Sequence, residues 1–165
     1  MQTSFTENQL KDKDNRTSES IIRKCVHCGM CNATCPTYGI NGEELEGPRG
    51  RIYLIKDMLE NKKPATKEIA KHIDSCLSCY SCMTTCPSGV NYMHLIDHGR
   101  NYVEETYKRP FFDRLFRNIL SFVLPRPKVF LLMALSSKII KPFSFLFPKF
   151  LKNALSLMPD KTPSK

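Results

Sequence analysis

The chain lacks any apolar run long enough to cross a bilayer. A membrane-spanning helix needs roughly 18 or more consecutive apolar residues, and the most apolar run, Val129 to Leu135, is bracketed by Lys128 and Lys138. Such a run can lie on a membrane but should not cross one. No apolar signal core follows Met1 either, which disfavours export to an oxidising compartment. We therefore expect a cytoplasmic protein, with peripheral contact at the cytoplasmic face of the membrane left open.

Motifs of nucleotide-dependent and hydrolytic enzymes are also missing. The sequence has no phosphate-cradling glycine loop, no dinucleotide fingerprint and no Ser-His-Asp set. We therefore expect neither a substrate pocket nor a catalytic residue in this chain. It has no groove-reading helix or base-stacking motif either, so nucleic acid is not an expected partner.

Cysteine is absent before residue 25 and after residue 86, and all eight cysteines lie in two short runs, residues 25–36 and 76–87. Both runs read C-x2-C-x2-C-x3-C-P, the bacterial-type spacing for cubane iron–sulfur clusters, in which the fourth cysteine ligates the other cluster. The sequence therefore predicts two [4Fe-4S] clusters with crossed ligation. The expected ligands are Cys25, Cys28, Cys31 and Cys86 for one cluster, and Cys76, Cys79, Cys82 and Cys35 for the other.

This spacing has a physical reason. Two-residue gaps place three successive thiolates on one side of a turn-like loop, where they can converge on one compact cluster. The three-residue gap then carries the fourth cysteine away. The proline that follows ends the turn, because its φ is fixed and it has no N–H.

Three other uses of cysteine explain the runs less well. Zinc sites with four thiolates usually consist of two separated C-x2-C pairs around one ion. Each run here instead has three cysteines at two-residue gaps, followed by a fourth cysteine after a three-residue gap. Disulfides require an oxidising compartment. A redox dithiol accounts for a single C-x-x-C but not for two matching runs.

The periodicity outside the cysteine runs is helical. Between the runs we expect one helix from the Gly47–Gly50 stretch to about Asn61, and a second that is capped by Thr66 and ends at Cys76. A third helix should follow the second run, with Asn91 as its cap. The sequence thus predicts a mainly α protein, an α-helical ferredoxin followed by a helical basic tail.

Three segments are expected. Residues 1–20 are polar and should form a flexible arm, residues 21–108 the two-cluster domain, and residues 109–165 a basic amphipathic tail with a disordered end. Residues 101–165 hold 12 Lys and Arg against 4 Asp and Glu, whereas residues 1–100 hold 13 against 12. This imbalance suits an acidic partner protein or an anionic membrane surface.

Other polar residues near the runs allow more than one role. His27 lies inside the first run and is expected to be a neutral spacer, although it could donate a hydrogen bond to the cluster. Arg49 and Arg51 are expected either to reach cluster sulfides or a partner's carboxylates, or to form a solvated helix start. The three histidines on predicted helices are expected at the surface: His72, His94 and His98.

Three stretches carry a resemblance to a known family: residues 25–38, the Gly-Pro-Arg-Gly-Arg-Ile segment within residues 47–56, and residues 76–90. They resemble the iron–sulfur subunit of glycolate oxidase. Its wider group includes lactate-utilisation and anaerobic glycerol-3-phosphate dehydrogenase iron–sulfur proteins and heterodisulfide reductase relatives. The cysteine runs are shared by many members of this wider group. The Gly-Pro-Arg-Gly-Arg-Ile segment is less widely shared, and it favours the glycolate oxidase branch.

The resemblance implies an electron-transfer subunit. In that family the subunit passes electrons from FAD-bearing subunits, which oxidise glycolate to glyoxylate, towards the respiratory chain. An iron–sulfur subunit of a related lactate or glycerol-3-phosphate dehydrogenase is one alternative, and a non-enzymatic iron–sulfur sensor or a truncated subunit is another. Family members continue into a domain with paired Cys-Cys motifs, which this sequence lacks, so the resemblance implies an N-terminal portion or one half of a split subunit.

Overall fold

The computed structural model describes residues 1–140, with side chains up to residue 133. Among these residues the regular structure is helical, with no strand, which confirms the mainly α prediction. The predicted disorder at the end of the tail lies outside the described residues. Contacts divide the chain into two compact units, Met1–Lys108 and a second that starts at Arg109.

The helices of the two units follow one another with short connections. The first unit contains α1 (Glu7–Leu10), α2 (Lys13–Lys24), α3 (Pro36–Asn41), α4 (Pro48–Asn61), α5 (Lys67–Asp74), α6 (Ser81–Thr84) and α7 (Tyr92–Thr106), with 3₁₀ turns at Met30–Asn32 and Glu44–Glu46. The second unit contains α8 (Phe111–Val123) and α9 (Pro127–Ile140).

The helices that flank the cysteine runs begin where the sequence predicts. Pro48 occupies the first turn of α4, where its missing N–H costs no hydrogen bond. Thr66 Oγ1 accepts from the Ile69 N–H at 3.2 Å, and Asn91 Oδ1 accepts from the His94 N–H at 3.4 Å. Both predicted caps are therefore present, and they define where α5 and α7 start.

The N-terminal segment differs from the sequence-based expectation. Residues 1–20 were expected to form a flexible arm, but they contain α1 and most of α2. The side chain of Gln9 donates to the carbonyls of Leu59 and Glu60 at 2.8 and 2.9 Å, and Ser18 is fully buried. The expectation fails because some of these polar residues cap helices and others, such as Gln9 and Ser18, are buried as hydrogen-bond partners.

The core of the first unit lies between α4 and α7, with α2 and α5 packed against them. A Cβ added at Gly99 would lie 2.8 Å from Ile55 Cγ1, so α7 approaches α4 closely at this point. Cys25 and Cys82 belong to the same buried cluster of side chains. The cysteine loops are therefore attached directly to the packed core.

The second unit carries many exposed apolar side chains. Phe111 and Phe112 of α8 are 72% and 81% exposed. Arg117 and Asp113 of α8 form an ion pair of 3.3 Å, four residues apart. None of the helices in the described part of the chain is long and apolar enough to span a membrane.

Candidate metal centre

The two cysteine loops have the same backbone shape. His27 and Ser78, which occupy matching places in the first gap of each run, have φ angles of 60° and 52°. Gly29 and Tyr80, at the first place of the second gap, have φ angles of 83° and 56°. A left-handed φ is uncommon for a residue with a side chain, so its recurrence at matched positions shows that the sequence repeat is also a structural repeat.

The first run is joined by the last cysteine of the second run. Cys25, Cys28, Cys31 and Cys86 line one cavity of about 430 Å³, a volume that includes its open mouth. Burial raises the pKa of the Cys31 thiol to about 11, and the neighbouring thiols of Cys25, Cys86 and Cys28 contribute to this shift. Cys86, the last cysteine of the second run, thus lines the same cavity as the first three cysteines of the first run, and Cys82 lines this cavity as well.

The second run is joined by the last cysteine of the first run in the same way. Cys35, Cys76, Cys79 and Cys82 line a second cavity of about 290 Å³, again including its mouth. Burial raises the pKa of the Cys82 thiol to about 12, and the neighbouring thiols of Cys31, Cys76, Cys35 and Cys79 contribute to this shift. The structure therefore brings together all eight cysteines that the sequence singled out, in two groups of four.

The two cavities are neighbours. Pro48, Cys82 and Tyr92 line both of them, and Cys31 of the first group contributes to the raised pKa of Cys82 in the second. One wall of side chains therefore separates the two groups of thiols.

The donor set fits a sulfur-ligated iron centre. All eight cysteines are free thiols, and burial and neighbouring thiols raise the pKa of Cys31 and Cys82, which opposes their ionisation in the absence of a cation. Thiolates are the form that binds metal, so a bound cation removes this penalty and releases protons. Apolar residues such as Ile52 and Val90 complete the wall of the first cavity.

Comparison with known proteins agrees with this geometry. Residues 21–90 match the family described as "4Fe-4S dicluster domain", a segment that contains both cysteine runs. The match identifies this segment as a 4Fe-4S dicluster domain and supports an iron–sulfur centre at the two groups of thiols.

The dicluster domain lies in a chain similar to glycolate oxidase iron–sulfur subunits. The chain is 49% identical over 143 residues to the glycolate oxidase iron–sulfur subunit of Escherichia coli, covering 87% of this chain and 35% of that protein. The probable glycolate oxidase iron–sulfur subunit of Bacillus subtilis is 32% identical over 117 residues, covering 68% of this chain and 26% of that protein. The predicted resemblance is confirmed, and the chain spans about a third or less of the length of these relatives.

More distant similarity extends to succinate dehydrogenase iron–sulfur subunits. The succinate dehydrogenase iron–sulfur subunit of Paracoccus denitrificans is 30% identical over 99 residues, covering 53% of this chain and 38% of that protein. No solved structure matches the chain significantly.

Several groups of the dicluster domain contact cysteine sulfurs directly. The Val90 N–H donates to Cys86 Sγ at 3.4 Å, and the Tyr92 hydroxyl donates to Cys76 Sγ at 3.8 Å. Burial raises the pKa of Tyr92 well above its ordinary value, and Cys76 adds to the shift, so this hydroxyl keeps its proton. Sequence reasoning missed Tyr92 as a site residue, because its place in the helical pattern is that of an ordinary core residue.

Two arginines at the start of α4 form matched pairs with the preceding 3₁₀ turn. Arg49 pairs with Glu44, and Arg51 pairs with Glu46, each five residues apart. The pairs differ in burial: the side chains of Arg49 and Glu44 are 31% and 42% exposed, whereas those of Arg51 and Glu46 are 1% and 3% exposed. One role expected for these arginines, a solvated residue at the start of the helix, is therefore wrong for Arg51, because its side chain is buried.

The buried pair belongs to a larger hydrogen-bond network. Arg51 donates from Nη2 to Glu46 Oε2 and to Ser75 Oγ, both at 2.9 Å, and from Nε to the His72 carbonyl at 2.7 Å. Burial raises the pKa of Glu46, but hydrogen bonds from Ser75 and His72 and the charge of Arg51 outweigh it, so the pKa lies below its ordinary value. Every charged atom of this network has a partner inside the domain.

His72 was expected at the surface, and this prediction is wrong. Its side chain is 2% exposed, and Nδ1 lies 2.8 Å from Glu46 Oε1. An ionised carboxylate only accepts hydrogen bonds, so His72 Nδ1 carries a proton and donates it. The sequence could not reveal this contact because Glu46 lies 26 residues away.

Proposed function

We propose that the chain is the electron-transfer iron–sulfur subunit of a flavin-dependent 2-hydroxy-acid oxidase complex that acts on glycolate. The observation that carries the proposal is the exchange of Cys35 and Cys86 between the two groups of thiols, in a chain that is 49% identical to a glycolate oxidase iron–sulfur subunit. The proposal includes two [4Fe-4S] clusters, one in each cavity.

The proposed ligands follow from the two groups. One cluster is held by Cys25, Cys28, Cys31 and Cys86, and the other by Cys76, Cys79, Cys82 and Cys35. The lining of the two cavities supports this division: Cys86 lines only the first cavity, and Cys35 lines only the second.

Iron–sulfur clusters supply one-electron redox chemistry, with potentials tuned by charge, burial and hydrogen bonds to sulfur. The residues of this chain would bind one cluster in each cavity and keep the two clusters apart. A flavin gives up two electrons in each oxidation of a hydroxy acid. Two adjacent sites in one domain suit the conversion of that output into single-electron steps.

The proposed partners are FAD-binding subunits, since the relatives are named as subunits of glycolate oxidase. The second unit offers exposed apolar and basic side chains for docking, including Phe112 and Leu115 of α8 at 81% and 44% exposure. The proposed location is the cytoplasm, at or near the membrane face.

Anaerobic reconstitution of the full chain tests the cluster content. Two cubanes require about eight irons and eight sulfides per chain. A colourless product, or one that holds zinc in place of iron, would contradict the proposal.

Electron transfer from a flavoprotein tests the role in the complex. The reconstituted chain is mixed under anaerobic conditions with a glycolate-oxidising flavoprotein subunit and then with glycolate. We expect glycolate to bleach the visible absorbance of the clusters only when both proteins are present. Bleaching by lactate or glycerol 3-phosphate with their own flavoproteins, but not by glycolate, would assign the chain to a related dehydrogenase.

A further inference from the structure

The start of α4 lies between the two groups of thiols. Pro48 lines both cavities, Arg49 lines only the first and Arg51 only the second. One helical turn therefore presents a separate guanidinium group to each site.

The two arginines differ in their access to water. The Arg49 side chain is 31% exposed, so water and salt screen its charge. The Arg51 side chain is 1% exposed, and charge interactions are stronger where solvent is excluded. Of these two cations, Arg51 therefore has the larger electrostatic effect on its cavity.

Arg51 is oriented towards a proposed cluster ligand. Its Nη1 lies 4.0 Å from Cys35 Sγ, whereas Nη2 is turned to Glu46 and to Thr37, whose hydroxyl is 3.1 Å away. Thr37 Oγ1 in turn lies 3.2 Å from Cys35 Sγ. The guanidinium thus touches the thiol, and the carboxylate that balances its charge is bound to another of its nitrogens.

We propose that the buried Arg51–Glu46 pair sets the reduction potential of the site formed by Cys35, Cys76, Cys79 and Cys82, with Arg51 raising that potential and Glu46 lowering it. Reduction adds one negative charge to a site, which a buried cation stabilises and a buried anion destabilises. The inference rests on the proposed function, because it requires an iron–sulfur cluster bound by Cys35.

The two charges can be removed separately. Arg51→Met removes the cation and keeps an unbranched stem, and Glu46→Gln removes the anion with little change of shape. Arg51→Lys keeps the positive charge but loses the planar set of donors. Arg49→Met is the matched control, because it removes an arginine from the same turn on the side of the other cavity.

The experiment is an anaerobic redox titration of each reconstituted full chain, followed by electron paramagnetic resonance, with iron and sulfide determined on the same samples. Cys79→Ser and Cys28→Ser identify which reduction step belongs to which site. We expect Arg51→Met to shift the step of the Cys79 site to a more negative potential and Glu46→Gln to shift it to a more positive one. Arg49→Met should leave that step nearly unchanged.

Opposite shifts distinguish a charge effect from loss of structure, which would move both variants in the same direction. If Arg51→Met does not load iron at the second site, the other two variants decide. Glu46→Gln must raise the reduction potential of that site, and the potential of Arg51→Lys must lie nearer to the wild-type value than that of Glu46→Gln. Shifts of equal sign, or no shift, would overturn the inference. Wild-type protein that loads no iron would instead overturn the proposed function, so the two failures are distinguishable.

Discussion

His98 of α7 forms a hydrogen bond with Ser18 of α2. Its Nδ1 lies 2.7 Å from Ser18 Oγ, and Ser18 is fully buried. Burial lowers the pKa of His98 below its ordinary value. The folded protein therefore holds this ring neutral at a pH where the unfolded chain has already bound a proton.

This shift predicts acid sensitivity. Below a pH of about 6.5 the unfolded chain binds a proton at His98 that the folded chain does not, so the free energy of unfolding falls as the pH falls. We expect the melting temperature to drop between pH 7.5 and pH 5.5 more in wild type than in His98→Gln, measured anaerobically by circular dichroism. An equal drop in both proteins would contradict this role.

At the residue scale, the cysteine sites could be predicted and the buried network could not. Ligand spacing is local, so the pattern of each run reveals its chemistry without knowledge of the fold. The burial of His72 depends on where α5 packs, and its partner Glu46 lies in another element. No local pattern separates such a histidine from one on the surface.

At the scale of elements, the contact between α4 and the 3₁₀ turn at Glu44–Glu46 positions both arginine–glutamate pairs. Gly50 allows this contact, because a Cβ there would collide with the carbonyl oxygen of Glu44 and lie 2.8 Å from Leu45 Cα. These are backbone atoms, so the collision cannot be relieved by rotating a side chain. The space at Gly50 therefore determines how closely the turn approaches the helix.

Gly50→Ala should displace the turn and weaken both pairs. We expect a loss of stability of about 1–3 kcal/mol, the usual cost of overpacking, and a lower iron content after reconstitution. Gly39→Ala in α3 is the matched control, because a Cβ there meets nothing within 4 Å. The explanation fails if Gly50→Ala melts and loads iron like wild type, or if Gly39→Ala is equally damaging.

The helices with strong caps were predicted to within a few residues, whereas α1 and α2 were missed. Apolar periodicity is weak before Ile21, so the sequence pattern predicts a solvated arm there. Its caps were nevertheless visible: Thr6 and Gln9 form a capping box, and Asp12 caps α2. Caps show where a helix can start, but the packing that holds α1 and α2 in place depends on contacts with distant residues such as Leu59.

At the scale of the whole molecule, the metal centre and the core of the first unit are one structure. Cys25 and Cys82 pack in the same buried cluster as Ile55 and Leu95. Each group of thiols contains cysteines from both runs, which lie at opposite ends of the segment from residue 25 to residue 86. A bound cluster therefore links distant parts of the chain and stabilises the folded state.

Removal of iron should accordingly destabilise the first unit. We expect the metal-free protein to melt at a lower temperature than the reconstituted protein and to bind a hydrophobic dye that the loaded protein excludes. Anaerobic circular dichroism and dye fluorescence measure the two effects. Identical melting curves with and without iron would show that the centre has no part in the stability of the fold.

The central claim is the exchange of the fourth cysteines, and the most direct measurement compares the cluster signals lost in four serine variants by electron paramagnetic resonance. Crossed ligation predicts that Cys35→Ser perturbs the same signal as Cys79→Ser, and that Cys86→Ser perturbs the same signal as Cys28→Ser. If Cys35→Ser instead perturbed the Cys28 signal, and Cys86→Ser the Cys79 signal, each run would hold its own cluster and the account would be wrong.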